Sequence, residues 1–391
     1  MKKQLIRKQN DTGAFPWYVQ SGTDWLRCGF TTGTCAALAA SGAVQYLLTG
    51  RLPDQLYVRT PMGIPVEVKP ENGEKWEDGA RCSVRKDAGD DPDCTDAILV
   101  TASVVKTKSG IRILGGEGVG RVTKPGLDQP VGEAAINHVP REMICAAAED
   151  VCAACGYTGG LMIEISIPGG RELAGKTFNP QLGIVDGISV LGTSGIVEPM
   201  SEQALLDTIA LAVRQAGQIQ KERLILVPGN YGLDHLQSMK DRIGDVPQVV
   251  CSNFIGDSIR FAMAEGFQEL MLVGHIGKLI KLAGGIMNTH SKMADCRMEL
   301  FCAHAALCGA DRAVCRDLME QVSTDGCLEI LDRTGMREDV MRSLLLAVQK
   351  HLDLCAAGRI RIGAILFSNV YGTLGMTQTA ELLLKEWNPT A

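Results

Sequence analysis

A short turn near the N-terminus, with the sequence CGFTTGTC at residues 28–35, combines two glycines with three threonine hydroxyls. It runs directly into AALAA, a segment of strong helix propensity at residues 36–40. The first turn of a helix leaves backbone N–H groups without internal partners, and the helix dipole is positive at that end. A threonine that only caps the helix is the alternative. The functional interpretation is an anion site for a carboxylate or phosphate, formed by Thr31, Thr32, Gly33 and Thr34.

The densest cluster of potentially reactive side chains lies at residues 274–299, with the sequence GHIGKLIKLAGGIMNTHSKMADCRME. Lys278 and Lys281 are three positions apart and can share one helix face. Histidine is the side chain best suited to moving a proton near neutral pH, so His275 and His290 are candidates for proton removal. With Lys292, the two lysines predict a site for an anionic ligand. The alternative is an exposed amphipathic helix with a capping histidine.

Four glycine-bearing turns in the C-terminal half follow apolar runs that are typical of buried parallel strands. The runs are residues 224–227, 249–251, 270–273 and 362–367, and the turns are residues 228–232, 252–257, 274–278 and 368–372. We predict that a helix follows each turn. Turn chemistry alone also favours glycine and asparagine. However, open α/β sheets bind ligands outside the carboxyl ends of their strands, which predicts contacts from Gly229, Asn230, Gly232, Gly274 and Gly277.

An acidic turn, KDAGDDPD at residues 86–93, follows a predicted strand. A calcium loop would need alternating oxygen ligands, a central glycine and a terminal glutamate, and this segment lacks that pattern. A solvated turn in which the aspartates bond their own backbone is one interpretation. The functional interpretation is that Asp87, Asp90 or Asp91 accepts hydrogen bonds from a ligand's ammonium or hydroxyl groups.

The glycine string GGEGVG at residues 115–120 superficially resembles the cofactor loop of dinucleotide enzymes or methyltransferases. Such loops require a helix next, whose N-terminus meets the charged ligand. Here the continuation RVTKPG at residues 121–126 predicts a strand ended by a turn. We therefore expect a glycine-rich hairpin near a ligand instead of a dinucleotide loop.

The elements around these segments predict a two-domain α/β protein. Residues 1–25 form an N-terminal extension, residues 26–218 an α+β domain with a mixed or antiparallel sheet, and residues 219–391 a Rossmann-like domain with a mainly parallel sheet. β-branched residues between turns predict strands in the first domain, at residues 56–59, 66–69, 81–86, 98–105, 111–114 and 161–167. Helices are predicted there at residues 35–48, 141–155 and 201–216.

Composition excludes several function classes. The chain has 391 residues, 46% of them hydrophobic and 21% charged, which is typical of a globular enzyme with two cores. Its net charge of −6 gives no basic footprint for nucleic acid. No apolar run is long enough to span a membrane, and no secretory signal begins the chain. Without such a signal, the fourteen cysteines, including the pair Cys152 and Cys155, are interpreted as reduced structural thiols in the cytoplasm.

In several segments that follow one another along the chain, the sequence resembles the CbiD-type cobalt-precorrin-5B (C1)-methyltransferases of anaerobic cobalamin biosynthesis. The resemblance covers residues 26–372 in order. Its segments are residues 29–35, 86–93 with Thr95, 115–120 with Val122 and Thr123, 132–137 (GEAAIN), 176–180 (KTFNP), 187–195 (GISVLGTSG) and 274–299.

This resemblance implies that S-adenosylmethionine donates a methyl group to carbon 1 of a cobalt-bearing tetrapyrrole. The implied product is cobalt-precorrin-6A. Cobalt belongs to the substrate, so we expect no metal bound by the protein itself. The partners expected are the tetrapyrrole alone, with neither nucleic acid nor membrane, and a homo-oligomer is compatible with the sequence.

Two assignments of the reactants remain open. In one, the strand-end glycines of residues 219–391 hold the methyl donor, while the threonine turn, the acidic turn, Lys278, Lys281 and Lys292 hold the carboxylated macrocycle. In the other, the donor binds the first domain and the tetrapyrrole binds the second. Two rival functions are a nicotinamide-dependent reductase that uses the glycine string and a non-catalytic carrier of a metallated tetrapyrrole.

Overall fold

The computed structural model describes residues 5–8 and 15–388. The chain divides into two compact units, Met1–Glu202 and Gln203–Ala391. This division comes earlier in the chain than the predicted boundary between residues 218 and 219. The reason is the helix Glu202–Ile219, because its side chains Ile209 and Val213 belong to the hydrophobic core of the second unit.

The first unit is built from short strands and three helices in its described part. The strands are β1 (Leu5–Arg7), β2 (Trp17–Ser21), β3 (Asp24–Arg27), β4 (Gly29–Phe30), β5 (Leu56–Arg59), β6 (Pro65–Val68), β7 (Asn72–Lys75), β8 (Gly79–Arg85), β9 (Leu99–Thr107), β10 (Ile111–Gly115), β11 (Arg121–Val122), β12 (Gly160–Ser166), β13 (Ile184–Val185) and β14 (Ile196–Val197). The helices are α1 (Thr32–Thr49), α2 (His138–Ala154) and α3 (Gly170–Ala174).

The main sheet of the first unit has the strand order β10–β12–β9–β8–β7. Only β10 and β12 run parallel in it, and the other neighbours are antiparallel. Val100, Ala102 and Val104 alternate along β9 and are completely buried, as the two-residue period of a strand requires. The predicted α+β architecture with a mixed sheet is confirmed.

Helix α1 lies in the core of the first unit and packs against β8, β9 and α2. Its small side chains allow this close packing, since a Cβ at Gly42 would stand 2.6 Å from Sγ of Cys82 on β8. Gly50 ends the helix in the left-handed conformation with φ of 77°, which glycine adopts without strain. The sequence therefore sets both the position and the end of α1.

The predicted N-terminal extension is part of the first unit where the structure describes it. Strands β1, β2 and β3 form an antiparallel sheet. Val19 is completely buried, and the ring of Phe15 contacts the ring of Phe30 edge-on at 5.9 Å. Residues 1–4 and 9–14 of the extension lie outside the described residues.

The second unit alternates strands and helices. Its strands are β15 (Arg223–Val227), β16 (Gln248–Val250), β17 (Glu269–His275), β18 (Arg361–Ser368) and β19 (Gly372–Met376). Its helices are α4 (Glu202–Ile219), α5 (Asn230–Ser238), α6 (Lys240–Ile243), α7 (Ile255–Glu265), α8 (Ile276–Leu279), a 3-10 helix (Ile280–Gly284), α9 (Arg297–Leu307), α10 (Arg312–Met319), α11 (Thr324–Arg333), α12 (Arg337–Ala356) and α13 (Gln378–Trp387).

The sheet of the second unit has the strand order β16–β15–β17–β18–β19. The first four strands in this order run parallel, which confirms the four buried parallel strands predicted from the sequence. Helices pack on both faces of this sheet, so its central strands are buried almost throughout. The Rossmann-like architecture predicted for this half is confirmed.

One predicted helix is wrong. The turn after β18 leads into β19, which pairs antiparallel with β18, and no helix begins until Gln378. Gly372 adopts a φ of 69°, which glycine tolerates and which lets the chain reverse tightly.

Across residues 5–8 and 15–388, none of the helices combines the length and apolar character needed to cross a bilayer.

Candidate active site

The carboxyl ends of β15, β16, β17 and β18 lie at one edge of the second unit's sheet. Strand β16 lies on one side of β15, and β17, the next strand along the chain, lies on the other side of β15. The direction in which successive strands are added to the sheet therefore reverses between β15 and β17. Open α/β sheets bind ligands in the crevice at such a switch point. The structure therefore brings the predicted residues Gly229, Asn230, Gly274 and Gly277 to one edge.

Glycines at this edge have two different roles. A Cβ at Gly232 would stand 2.9 Å from Cβ of Val227, and one at Gly274 would stand 3.1 Å from Cδ of Pro228. These two glycines therefore allow α5 and the end of β17 to approach the end of β15. By contrast, a Cβ at Gly229 would meet no atom within 4 Å. Gly229 thus borders open space where a ligand can lie.

His275 ends β17 and caps α8. Its Nδ1 accepts a hydrogen bond from the backbone N–H of Gly277 at 3.1 Å. Burial lowers the pKa of this imidazole below its ordinary value, and Asp325 offsets part of that effect. A neutral ring that accepts at Nδ1 carries its proton on Nε2. His275 therefore offers a hydrogen-bond donor at Nε2 instead of the basic nitrogen that proton removal needs there.

An aromatic cluster next to His275 was missed by the sequence analysis. The ring of Phe367, at the end of β18, contacts His275 edge-on at 5.7 Å. The ring of His235 on α5 stacks on the ring of Phe367, with the ring centres 4.2 Å apart and the two planes nearly parallel. Burial lowers the pKa of His235. No local signal marks His235, because its partner lies more than a hundred positions away in the chain.

The turn between β18 and β19 is fastened to α11. Oγ of Ser368 donates a hydrogen bond to Oδ1 of Asp325 at 2.7 Å and accepts one from the backbone N–H of Val370 at 3.0 Å. Asp325 lies in the first turn of α11. These bonds hold the turn between β18 and β19 in place at the carboxyl edge of the sheet.

Lys278 and Lys281 both donate to backbone carbonyls. Nζ of Lys278 lies 2.8 Å from the carbonyl oxygen of Pro228, and burial lowers the pKa of this lysine. Nζ of Lys281, which is buried, lies 2.8 Å from the carbonyl of Ala294 and 3.2 Å from that of Thr289. The two lysines thus fasten loops at the edge, and their predicted contact with a ligand anion stays a prediction.

The loop that carries His290 lies beside the start of α7, where Asn288 pairs with Phe254. His290 is exposed, and its Nδ1 accepts a hydrogen bond from the backbone N–H of Lys292 at 3.1 Å. Lys292 is exposed as well. This loop therefore presents a cation and an imidazole to solvent.

The threonine turn at the start of α1 is filled by protein groups. Oγ1 of Thr31 accepts from the N–H of Thr34 at 3.2 Å, which is the capping interaction given above as the alternative. The N–H of Gly33 donates to the carbonyl of Leu191 at 3.1 Å, and Oγ1 of Thr34 donates to the carbonyl of Gly195 at 2.7 Å. Thr32 is buried and bonds the backbone of Leu191 through its hydroxyl. A later segment of the chain therefore occupies the place predicted for an anion.

The acidic turn is also held by protein groups. Arg27 donates to both carboxylate oxygens of Asp87, at 2.5 and 2.8 Å. The backbone N–H of Arg27 donates to Asp90 at 2.6 Å, and that of Met200 donates to Asp91 at 3.0 Å. These contacts give the three aspartates a structural role, but with residues outside the turn. Of these three described residues, only Asp87 also bonds the backbone of the turn itself, through the N–H of Gly89.

The glycine string lines a cavity of about 460 Å³, but it is not a hairpin. Strand β11 pairs with β13 and not with β10, so the expectation of a hairpin is wrong, whereas the strand after the string is confirmed. A Cβ at Gly118 would collide with the carbonyl of Ile167. The glycines thus let separate chain segments pack closely. Charged side chains line the cavity. Among them is Arg171, which forms an ion pair with Asp186 at 3.1 Å.

Cysteine chemistry contributes little to these sites. Burial raises the pKa of Cys35, Cys82, Cys251 and Cys327 to about 12, so these thiols stay protonated at neutral pH. Within residues 5–8 and 15–388, no group of three or more histidine, cysteine or acidic side chains is placed to hold a metal ion.

The structure defines a two-unit α/β protein whose second unit has a mainly parallel sheet with a switch point. Sequence comparison gives its family. A CbiD family model matches residues 19–199, and a model of the CbiD C-terminal domain matches residues 288–378. The chain belongs to the CbiD family, which confirms the resemblance seen in its segments.

Relatives of the chain carry a common name. A protein of Ruminiclostridium cellulolyticum named cobalt-precorrin-5B C(1)-methyltransferase is 44% identical over 92% of this chain and 96% of its own length. A protein of Alkaliphilus metalliredigens with the same name is 40% identical over 92% of this chain and 94% of its own length. A solved structure, the cobalamin biosynthesis protein (cbiD) from Archaeoglobus fulgidus, is 27% identical over 71% of this chain and 86% of that chain, with a TM-score of 0.39.

Proposed function

We propose that this protein transfers the methyl group of S-adenosylmethionine to carbon 1 of cobalt-precorrin-5B. The product is cobalt-precorrin-6A, and the pathway is the anaerobic, early-cobalt route to cobalamin. The observation that carries the proposal is the 44% identity over 92% of the chain to a relative of that name. The family models match segments in both units, so the likeness extends beyond a single domain.

The chemistry of the transfer asks for alignment more than for activation. Carbon 1 of the electron-rich macrocycle attacks the methyl carbon of the sulfonium. A carbon–carbon bond forms while the carbon–sulfur bond breaks, and the electron pair of the broken bond stays on sulfur, leaving S-adenosylhomocysteine. The sulfonium is already reactive, so the protein must hold the two reactants in line and exclude water.

Charge favours the carboxyl edge of the second unit as the place for the macrocycle. The substrate bears several carboxylate arms and is a polyanion. Helices α5 and α7 begin at this edge, and their N-termini carry the positive end of the helix dipole. His275 adds a donor at Nε2, and the exposed Lys292 adds a cation on the loop beside α7. This is the second of the two assignments that the sequence left open.

The internal contacts of the first unit support the same choice. The threonine turn and the acidic turn, which were the alternative contacts for the macrocycle, are occupied by protein groups. Binding carboxylates there would break these bonds, whereas the strand-end edge needs no such rearrangement at Gly229.

The proposal is tested by incubating the purified protein with S-adenosylmethionine and cobalt-precorrin-5B. We expect the corrinoid to gain the mass of one methyl group and S-adenosylhomocysteine to appear in equal amount. A carrier would bind the corrinoid without forming S-adenosylhomocysteine. A reductase would change the corrinoid only when a reduced dinucleotide is supplied, so a parallel reaction with NADPH and no methyl donor distinguishes the two enzymes.

A further inference from the structure

A second cavity of the first unit, of about 740 Å³, shares no lining residue with the cavity beside the glycine string. It is an open groove between α1, α2 and the start of the β5–β6 hairpin, and we call it the α2 groove. Apolar side chains form much of its lining, among them Val58, Val139, Met143 and Val151. Its volume is within the range of about 300–1,000 Å³ that is usual for small-molecule sites. The groove is large enough for a nucleoside with an attached amino acid.

The charged groups of the α2 groove form a simple pattern. Glu142 and Asp150 lie on α2, and Arg59 lies on β5. The two acids are eight positions apart, which places them roughly 12 Å apart along the helix axis, with Ala146 between them on the same side. All three charged residues are exposed, and among the described residues none of them is in an ion pair with another side chain. The groove thus presents two carboxylates and one guanidinium around an apolar surface.

We infer that the α2 groove binds the methyl donor, S-adenosylmethionine, an inference that rests on the proposed function. The donor carries two positive charges, on sulfur and on its amino group, and one negative carboxylate. The groove carries the opposite set, two negative charges and one positive charge. The purine of the donor is a flat apolar group. Tyr57, whose side chain lines the groove and is 51% exposed, offers an aromatic face to a purine.

The same charge pattern predicts weaker binding of the product than of the donor. Methyl transfer converts the sulfonium into a neutral thioether, so S-adenosylhomocysteine has one positive charge fewer than the donor. The carboxylates of Glu142 and Asp150 then lose an electrostatic partner. We therefore expect the groove to bind the donor more tightly than the product, and this preference to depend on the two acids.

The other two places fit the donor less well. The cavity beside the glycine string is smaller, about 460 Å³, and although Glu117 and Glu172 line it, none of its lining residues is aromatic, so it offers no ring for a purine to stack on. At the carboxyl edge of the second unit, the N-termini of α5 and α7 and the exposed Lys292 disfavour a sulfonium, and the acid there, Asp325, already accepts a hydrogen bond from Ser368. The α2 groove combines apolar surface with a net negative lining.

Charge variants on α2 test the inference through binding of S-adenosylmethionine, measured by titration calorimetry. Glu142→Gln and Asp150→Asn should each raise the Kd of the donor by about tenfold or more, the usual effect of losing a charge-assisted contact. Both should raise the Kd of S-adenosylhomocysteine less. Glu149→Gln is the matched control, since Glu149 is exposed on the same helix but does not line the groove.

A steric pair gives an independent test. Ala146→Leu fills the groove at an exposed helix position and should abolish donor binding, while Ala153→Leu, outside the groove, should bind as the wild type does. Both keep good helix formers, so circular dichroism should show the wild-type melting temperature. Unchanged donor binding in Ala146→Leu and in both acid variants would overturn the inference while methyl transfer stands. The inference would equally be overturned if Glu149→Gln weakened binding as much as the groove variants. Absence of methyl transfer with intact donor binding would instead refute the proposed function alone.

Discussion

Nδ1 of His275 accepts a hydrogen bond from the backbone N–H of Gly277, 3.1 Å away. This single contact decides what the histidine can do for a ligand. Because burial keeps the ring neutral, the proton resides on Nε2, and the side chain donates to whatever lies over the strand ends. A carboxylate arm of the substrate is the partner that such a donor prefers.

Replacing His275 should therefore weaken substrate binding more than chemistry. We expect His275→Ala to raise the KM for cobalt-precorrin-5B about tenfold, because one hydrogen bond to a charged group is lost, and to leave kcat within about threefold. Steady-state kinetics with both reactants measures the two constants separately. A large fall in kcat at unchanged KM would support the proton-removal role and contradict the donor role.

Lys281 should be important for stability. It is buried, and its ammonium group donates to the carbonyls of Thr289 and Ala294. Lys281→Met should lower the free energy of unfolding by about 2 kcal/mol, since two charged hydrogen bonds that hold the loop disappear. Lys292→Met, at an exposed position, should change it by less than about 0.5 kcal/mol. Urea denaturation gives both values, and equal effects would disprove the structural role.

Gly229 and Gly232, at the start of α5, have different surroundings: Gly232 packs against protein atoms, whereas Gly229 faces open space. Gly232→Ala should destabilise the protein by about 1–3 kcal/mol, because its Cβ would stand 2.9 Å from Cβ of Val227. Gly229→Ala meets no atom within 4 Å and should leave the melting temperature unchanged. It should nevertheless raise the KM for the corrinoid, since the methyl group enters the open space at the strand end. Wild-type kinetics in Gly229→Ala would exclude that space from the site.

Stability should fall on the acid side of neutrality because of His235. Burial lowers the pKa of this imidazole below its ordinary value of 6.5. As the pH falls below that value, the unfolded chain takes up a proton that the folded protein does not, so the free energy of unfolding decreases. Above that pH the effect is absent.

His235→Phe can keep the stacking on Phe367 while it removes the titrating group. Its free energy of unfolding should therefore depend less on pH between about 7 and 5 than that of the wild type. Thermal denaturation across this range measures the slope. An identical slope in the variant would show that His235 is not a source of the acid sensitivity.

The acidic turn should act on stability alone. Asp87 accepts two hydrogen bonds from Arg27 and one from the backbone N–H of Gly89. Asp87→Asn should cost about 1–3 kcal/mol in unfolding free energy. Asp54→Asn, whose carboxylate forms an exposed pair with Arg51, should cost little. A fall of more than tenfold in kcat/KM of the folded Asp87 variant at low temperature would instead indicate that Asp87 contacts a reactant directly.

The fold was predictable from local patterns, but much of the site was not. Apolar runs gave the four parallel strands of the second unit, because burial on both faces leaves a clear signal. The reversal after β18 was missed, since its turn residues resemble those that precede helices. The threonine turn shows the deeper reason. Its partners, Leu191 and Gly195, are distant in sequence, so local chemistry suggested an anion where the chain supplies its own carbonyls.

The central claim is that the methyl group of the sulfonium moves to carbon 1 of the macrocycle. The most direct measurement is a reaction with S-adenosylmethionine labelled with ¹³C in its methyl group, followed by NMR spectroscopy of the isolated corrinoid. We predict one new ¹³C-methyl signal, coupled to carbon 1. A labelled methyl on any other ring carbon, or a corrinoid without label, would contradict the claim.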